Sequence, residues 1–117
     1  IRSNGEFIRE FFYVKDAVNA YLLLAEKLCE PEVVGQAFNF GREEPISVLD
    51  LANMIIELSE STHKSVILNE AKNEIRIQYL SCEKARKILN WKPQYTLKQS
   101  LAETYEWYKK YFSEEPK

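Results

Sequence analysis

The spacing of apolar residues along the chain changes within residues 5–26, whose sequence is GEFIREFFYVKDAVNAYLLLAE. The first half alternates, which places Phe7, Arg9 and Phe11 on one side of an extended segment. From about Lys15 onward, apolar residues recur at the spacing of a helix. The stretch therefore predicts a strand that leads directly into a packed helix.

Arg9 is unusual because it is a cation on an apolar strand face. Burying a guanidinium costs free energy unless an anion meets it, and its planar fork suits a phosphate or a carboxylate. The residues alone leave two interpretations open. Arg9 either forms an internal salt bridge with one of the 18 acidic residues or binds an anionic ligand.

Length and composition limit the possible functions. A chain of 117 residues, 45% hydrophobic and 29% charged, predicts one globular domain. The net charge of −2 and the lack of a basic stripe argue against a nucleic-acid partner. The longest apolar run, residues 21–25, is too short to cross a bilayer and no signal peptide precedes it, so no membrane partner is expected.

The few metal-binding residue types give no site. Cys29 and Cys82 show neither metal-ligand spacing nor a disulfide pattern, which predicts reduced thiols and a cytoplasmic location. His63 is the only histidine and is expected on the surface. No metal-binding residue is therefore predicted.

Alternating periods and turn signals give the order of elements. Asn4-Gly5 is a type I′ turn signal, so residues 1–9 are predicted to form a β-hairpin that begins within a strand, as at a cut edge. There follow a helix at 15–28, a strand at 37–41 buried on both faces, a helix at 48–59, a strand at 65–68, and helices after Ser81 and Thr96. This alternation indicates an α/β fold with few strands and about four helices.

The predicted helices carry boundary and packing signals. Ser47 with Asp50 and Thr96 with Gln99 have the spacing of capping boxes, and Asn90 suits a left-handed C-terminal position. The first helix is predicted to pack through one apolar stripe, formed by Val18, Tyr21, Leu22, Ala25 and Leu28.

Residues 9–16, Arg-Glu-Phe-Phe-Tyr-Val-Lys-Asp, and the helix after them resemble a motif of the extended short-chain dehydrogenase/reductase family. In its nucleotide-sugar dehydratases and epimerases the motif reads Arg-Asp-aromatic-x-Tyr-Val-x-Asp, at the start of the sugar-nucleotide-binding region. The resemblance implies that Arg9 contacts the diphosphate of a nucleotide sugar. Glu10 departs from the usual Asp.

Further segments resemble the family in the same order. Residues 37–51 are similar to its Tyr-Asn-hydrophobic-Gly strand and the helix after it, which makes Asn39 a candidate substrate-binding residue. Asn39 could equally bond a neighbouring turn. Residues 84–93, KARKILNWKP, and residues 97–108 are similar to the family's closing segments, although Asn90 and Ser100 replace glycines.

A second cation is expected from residues 71–76, AKNEIR, which replace an Arg-Pro-Gly-Asp-like element that brings another arginine to the nucleotide in many relatives. Arg76 is the candidate for this role, with Lys72 as the alternative. Each could also be a solvated loop charge.

Two family motifs are missing, namely the glycine-rich dinucleotide fingerprint and the Tyr-x-x-x-Lys pair. The resemblance therefore implies NAD(P) in a full-length homodimeric enzyme, but no catalytic or cofactor-binding residue among these 117. The chain is expected to be the C-terminal sugar-nucleotide-binding domain of such an enzyme, with a small α/β fold. It lacks the Rossmann NAD-binding part and is expected to be inactive alone.

Several functions are compatible with this resemblance. One is the substrate-binding part of an NAD-dependent nucleotide-sugar 4,6-dehydratase. Within this class, the sequence of residues 68–71 and 73–75 favours the CDP-glucose or GDP-mannose type. A 4-epimerase fragment is an alternative. A non-enzymatic binding module on the same scaffold is another, and sugar-nucleotide binding that depends on Arg9 would separate it from the first two.

Overall fold

Helices provide most of the regular structure. The computed structural model describes residues 1–71 and 73–114. They form four helices and three two-residue strands: β1 Ile8–Arg9, α1 Val14–Glu26, β2 Ile46–Ser47, α2 Val48–Leu58, β3 Ile77–Gln78, α3 Glu83–Leu89 and α4 Leu97–Glu114. The predicted α/β class with about four helices is confirmed. None of the described helices has the length and apolar character needed to cross a bilayer.

The three strands form one small sheet in the order β2-β1-β3. β1 pairs antiparallel with β2, where Arg9 lies opposite Ile46, and parallel with β3, where Arg9 lies opposite Gln78. Arg9 therefore lies on the central strand, between two segments that are distant from it in sequence.

The helix boundaries follow the predicted capping signals. Ser47 Oγ accepts a hydrogen bond from the Asp50 N–H at 3.0 Å. Thr96 Oγ1 accepts from the Gln99 N–H at 3.2 Å, and Gln99 Oε1 accepts from the Thr96 N–H at 2.9 Å. Asn90 ends α3 with a φ of 54°. The capping box at Thr96 and the left-handed cap at Asn90 are confirmed. Ser47 caps α2 as predicted, but the Asp50 carboxylate accepts from the Ser47 hydroxyl and not from its N–H, so only one half of that capping box is present.

The predicted hairpin at residues 1–9 is wrong. Gly5 has a φ of 87°, but Asn4 is not among the residues with positive φ, and a type I′ turn needs both. Instead the side chains of Ser3 and Asn4 accept hydrogen bonds from the N–H groups of Gly5 and Glu6. Such local bonds compete with ladder pairing. Gly5 is also needed for space, because a Cβ there would lie 3.0 Å from the Cβ of Leu49.

Residues 65–68 do not form the predicted strand of the sheet. They run beside the start of the chain, where the Leu68 N–H donates to the Ile1 carbonyl at 2.8 Å. The Glu70 N–H donates to the Arg2 carbonyl at 2.7 Å. The segment is therefore extended and bonded, but its pairing is too irregular to make a ladder.

The predicted strand at residues 37–41 is also wrong. The segment has no ladder partner among the described residues. Phe38 and Phe40 are half-buried, whereas Ala37 and Asn39 are exposed, so the segment is not buried on both faces. Its apolar composition reflects packing of two phenylalanines against the core.

The core is small and lies around Trp91. Its buried members come from helices and connections: Ala20, Val33, Cys82, Ala85, Leu89 and Trp91. The rings of Phe12 and Phe40 meet Trp91 edge to face, with centroids 5.9 Å and 5.2 Å away. Such geometry is favourable for aromatic pairs, and Trp91 fills the core directly after α3.

The apolar stripe predicted for α1 does not face this core. Tyr21 is 76% exposed, and Val18 and Leu22 are also mostly exposed. α1 packs instead through Ala20, with Leu23 and Leu24 half-buried beside it. The helix carries two apolar faces, and its spacing alone could not show which one meets the core.

Candidate functional site

The guanidinium of Arg9 turns back onto the edge of the sheet. Its Nη1 donates to the Ile8 carbonyl at 2.8 Å and to the Arg76 carbonyl at 3.5 Å. The guanidinium carbon lies 5.7 Å from the centre of the Phe7 ring. Backbone oxygens and an aromatic face therefore hold the cation in place without neutralising it.

Arg9 also has an acidic neighbour. Its Nη2 lies 3.8 Å from Oε2 of Glu74, and the Glu74 side chain is 44% exposed. That distance exceeds a hydrogen bond, and an exposed ion pair contributes about 0–1 kcal/mol. The internal salt bridge that the sequence left open is present, but it is loose enough for Arg9 to attract another anion.

Arg76 reaches the same edge of the sheet from the other segment. Its carbonyl accepts from the Ile8 N–H at 2.8 Å as well as from Arg9. Its side chain is exposed just before β3. The structure thus brings the backbone of Arg76 to the Arg9 guanidinium, and the role of the Arg76 side chain stays a prediction. Lys72, the alternative second cation, lies outside the described residues.

Asn39 lies in a separate place. Its Nδ2 donates to the Ser81 carbonyl at 3.5 Å, the upper limit for a hydrogen bond. It lines an open groove of about 410 Å³ whose other walls include Tyr21, Phe38 and Leu80. The internal bond agrees with the structural interpretation of Asn39, and its contact with a ligand stays a prediction.

Glu10 is a residue whose importance the sequence did not reveal. Its Oε1 accepts from the Glu43 N–H at 2.5 Å, and its Oε2 accepts from the Leu80 N–H at 3.3 Å. A Cβ at Gly41 would overlap the same carboxylate. Glu10 therefore joins the strand of Arg9 to the loops before β2 and after β3. The signals in the sequence were its place next to Arg9 and its match to the acidic position of the family motif.

Glu43 continues this connection toward α3. Its Oε1 accepts from the Cys82 N–H at 3.0 Å, and its Oε2 pairs with the Arg86 guanidinium. Burial, with the charge of Glu10 as a smaller cause, raises the pKa of the Cys82 thiol. A buried thiol with a raised pKa is a poor nucleophile, so Cys82 serves packing rather than chemistry.

A second groove, of about 530 Å³, lies between the start of α1 and α4. In its wall the Tyr13 hydroxyl donates to Glu103 Oε2 at 2.7 Å, and the Lys15 ammonium contacts the same oxygen. The hydrogen bond from Lys15, followed by that from Tyr13, lowers the pKa of Glu103. The same contact with Glu103 raises the pKa of Tyr13 and of Lys15. The cation and the carboxylate of this groove therefore neutralise each other.

The described residues can be compared with what a metal ion or a dinucleotide needs. Within residues 1–71 and 73–114, no three His, Cys, Asp or Glu side chains are grouped so as to hold a metal ion. The three glycines of the chain, Gly5, Gly35 and Gly41, all lie away from the turns that lead into the helices. The residues present therefore do not fit a dinucleotide, whose pyrophosphate needs a glycine-rich turn at a helix N-terminus.

An α/β domain with two arginines at one edge of a small sheet is thus a candidate binding domain for an anion. No family model matches the chain. It is 32% identical to a dTDP-D-glucose 4,6-dehydratase of Mus musculus, over 96% of this chain and 32% of that protein. It is 24% identical to a UDP-glucose 4-epimerase of Cyamopsis tetragonoloba, over 90% of this chain and 30% of that protein.

Solved structures agree with these relatives. The chain superposes on the UDP-glucose 4-epimerase of Thermotoga maritima, solved with UDP-glucose, with a TM-score of 0.80 and 27% identity over 96% of this chain and 35% of the other. It superposes on the dTDP-glucose 4,6-dehydratase of Bacillus anthracis, solved with NAD, with a TM-score of 0.77 and 24% identity over 97% of this chain and 35% of the other. The second likeness shows the fold alone.

These comparisons confirm the resemblance to the extended short-chain dehydrogenase/reductase family. The chain matches a carboxyl-terminal portion of its nucleotide-sugar epimerases and dehydratases. It spans about a third of the length of the relatives that it matches.

Proposed function

We propose that this chain is the sugar-nucleotide-binding part of an NAD-dependent nucleotide-sugar 4,6-dehydratase, with Arg9 on the diphosphate of the substrate. The observation that carries the proposal is the pairing of β1 with β3. It brings the backbone of Arg76, whose side chain is exposed, to the Arg9 guanidinium. If the exposed Arg76 side chain turns toward Arg9, the two guanidinium groups suit a diphosphate, because each presents a planar fork of donors to phosphate oxygens.

The reaction class is proposed from the relatives. The 32% identity with the mouse dTDP-D-glucose 4,6-dehydratase favours a dehydratase, and the superposition on the UDP-glucose 4-epimerase keeps a 4-epimerase as the alternative. NAD(P) belongs in this proposal to the full-length enzyme, because the residues described here do not fit it. The resemblance further suggests a cytoplasmic homodimer, which light scattering and localisation of the whole protein would test.

The identity of the nucleotide in the substrate is a separate part of the proposal. Residues 68–71 and 73–75 favour a CDP-glucose or GDP-mannose type, whereas the mouse relative is named for a dTDP sugar. We propose the first pair as preferred substrates. Calorimetric titration of the chain with CDP-glucose, GDP-mannose, dTDP-glucose and UDP-glucose would rank them, and tighter binding of dTDP-glucose or UDP-glucose would overturn this choice.

The role of Arg9 is tested with the ligand of that panel that binds most tightly. Arg9→Ala is expected to weaken binding by about tenfold or more, because a hydrogen bond to a charged group contributes about 1.5–3 kcal/mol. Arg9→Lys should restore only part of the loss, since an ammonium keeps the charge but not the fork. The readout is the dissociation constant from calorimetry.

Lys109→Ala is the charge-matched control, because Lys109 is exposed on α4 in an ion pair with Glu106. It should leave the dissociation constant unchanged. If wild type and Arg9→Ala bind the preferred sugar nucleotide equally well, the assignment of Arg9 is wrong. If the wild-type chain binds none of the four ligands, the proposed function is wrong.

A further inference from the structure

Glu74 occupies the position next to Arg9 where a ligand anion would be expected. We propose that the Glu74 carboxylate is an internal competitor for the Arg9 guanidinium, which a substrate diphosphate displaces when it binds. This inference rests on the proposed function. It adds Glu74 as a residue that lowers the affinity of the Arg9 site for its ligand.

The geometry of the contact supports displacement. Glu74 Oε2 lies 3.8 Å from Arg9 Nη2, too far for a hydrogen bond, while Arg9 Nη1 is bonded to backbone carbonyls. The carboxylate and the backbone oxygens therefore approach different arms of the fork. A phosphate can replace the carboxylate without disturbing the bonds that hold the arginine to the sheet.

The position of Glu74 in the chain gives the competition a further consequence. Glu74 lies two residues before Arg76, in the loop that ends where β3 begins. The same loop thus carries one anion that opposes a diphosphate and one cation that favours it. When a ligand moves the Glu74 side chain away, the backbone of this loop stays beside β1, because the Arg76 carbonyl is bonded to the Ile8 N–H.

The expected size of the effect follows from the exposure of the pair. The side chain of Glu74 is 44% exposed and that of Arg9 is 22% exposed, so water screens their attraction. An exposed pair of this kind contributes about 1 kcal/mol or less, which limits the gain from its removal to at most about fivefold in affinity. A larger gain would mean repulsion between Glu74 and the ligand itself.

The test is calorimetric titration of the chain with UDP and with the tightest-binding sugar nucleotide. Glu74→Gln keeps the shape of the side chain and removes its charge, and it should tighten binding by about three- to fivefold. The matched control is Glu106→Gln, because Glu106 forms an exposed pair with Lys109 at 3.9 Å. The control should bind as wild type does. In the Arg9→Ala background, Glu74→Gln should give no gain.

The outcomes separate this inference from the function on which it rests. If Arg9→Ala weakens binding but Glu74→Gln binds as wild type or more weakly, the competition is wrong and the proposed function stands. An equal gain from Glu106→Gln would show a general effect of net charge and would also overturn it. If neither wild type nor Glu74→Gln binds any ligand, both the proposed function and the inference fall.

Discussion

At the scale of single residues, Glu10 holds two loops against the strand that carries Arg9. Its two oxygens accept from the N–H groups of Glu43 and Leu80. Glu10→Ala would leave these groups without their acceptor, and we expect it to lower the free energy of unfolding by about 1–3 kcal/mol. Urea denaturation followed by circular dichroism would measure this loss.

Gly41 supplies an independent check on this interpretation. A Cβ at position 41 would overlap the Glu10 carboxylate, so Gly41→Ala should destabilise the wild type by about 1–3 kcal/mol through overpacking. In the Glu10→Ala background the same change should cost much less. Additive costs of the two substitutions would contradict the contact. Glu6→Ala, which loses one bond to the exposed Asn4 amide, is the control.

The sequence draws attention to Arg9, whose role stays a prediction, but it does not show the surroundings of Arg9. A cation in an apolar strand pattern is visible in any sequence, and the resemblance added Arg76. The bonds of Glu10 go to backbone N–H groups, which no pattern of side chains encodes. The approach of Glu74 to Arg9 depends on the parallel pairing of β1 and β3, which a hydrophobic pattern cannot specify.

At the scale of elements, α1 and α4 are joined through Glu103. The pKa of this carboxyl is lowered by hydrogen bonds from Lys15 and Tyr13, so the folded state favours its charged form. This contribution to stability is fully present above the unfolded pKa of about 4.3 and is lost as pH falls through the lower folded value. We expect Glu103→Gln to remove that pH-dependent part, as measured by urea unfolding between about pH 6 and pH 3.

The comparison should be made as the difference between variant and wild type, since other carboxylates titrate in the same range. That difference should shrink as pH falls. Tyr13→Phe keeps the ring and removes one donor, so its effect should follow the same direction and be smaller. Parallel profiles for wild type and Glu103→Gln would show that the contact with Lys15 and Tyr13 does not stabilise the fold.

Helices were predictable where strands were not, for a physical reason. The caps at Ser47 and Thr96 are bonds between residues three positions apart, so the sequence contains both partners of each bond. A strand needs a partner elsewhere in the chain. Residues 37–41 and 65–68 are predicted as strands but form none, and the sheet takes its strands from residues 8–9, 46–47 and 77–78.

At the scale of the whole molecule, much of the apolar surface lies outside the core. The Cα radius of gyration is 17.5 Å, with extents of 53 × 38 × 23 Å. A compact domain of this length would have a radius of about 13 Å. The outward face of α1 includes Val14, Val18, Tyr21 and Leu22 at helical spacing, and all four are exposed. Phe7, Phe11 and Phe12, by contrast, are half-buried.

Exposed apolar faces of this kind favour association of protein molecules. We therefore expect the average mass of the chain in sedimentation equilibrium to rise with concentration. Leu22→Lys should reduce that rise without unfolding the chain, because Leu22 is 59% exposed and contributes little to the core. Thr62→Lys, which adds the same charge at another exposed position, should not reduce it. If both variants behave alike, added charge and not the face of α1 controls association. If wild type stays monomeric and its radius of gyration falls toward about 13 Å, the exposed residues pack within one molecule instead.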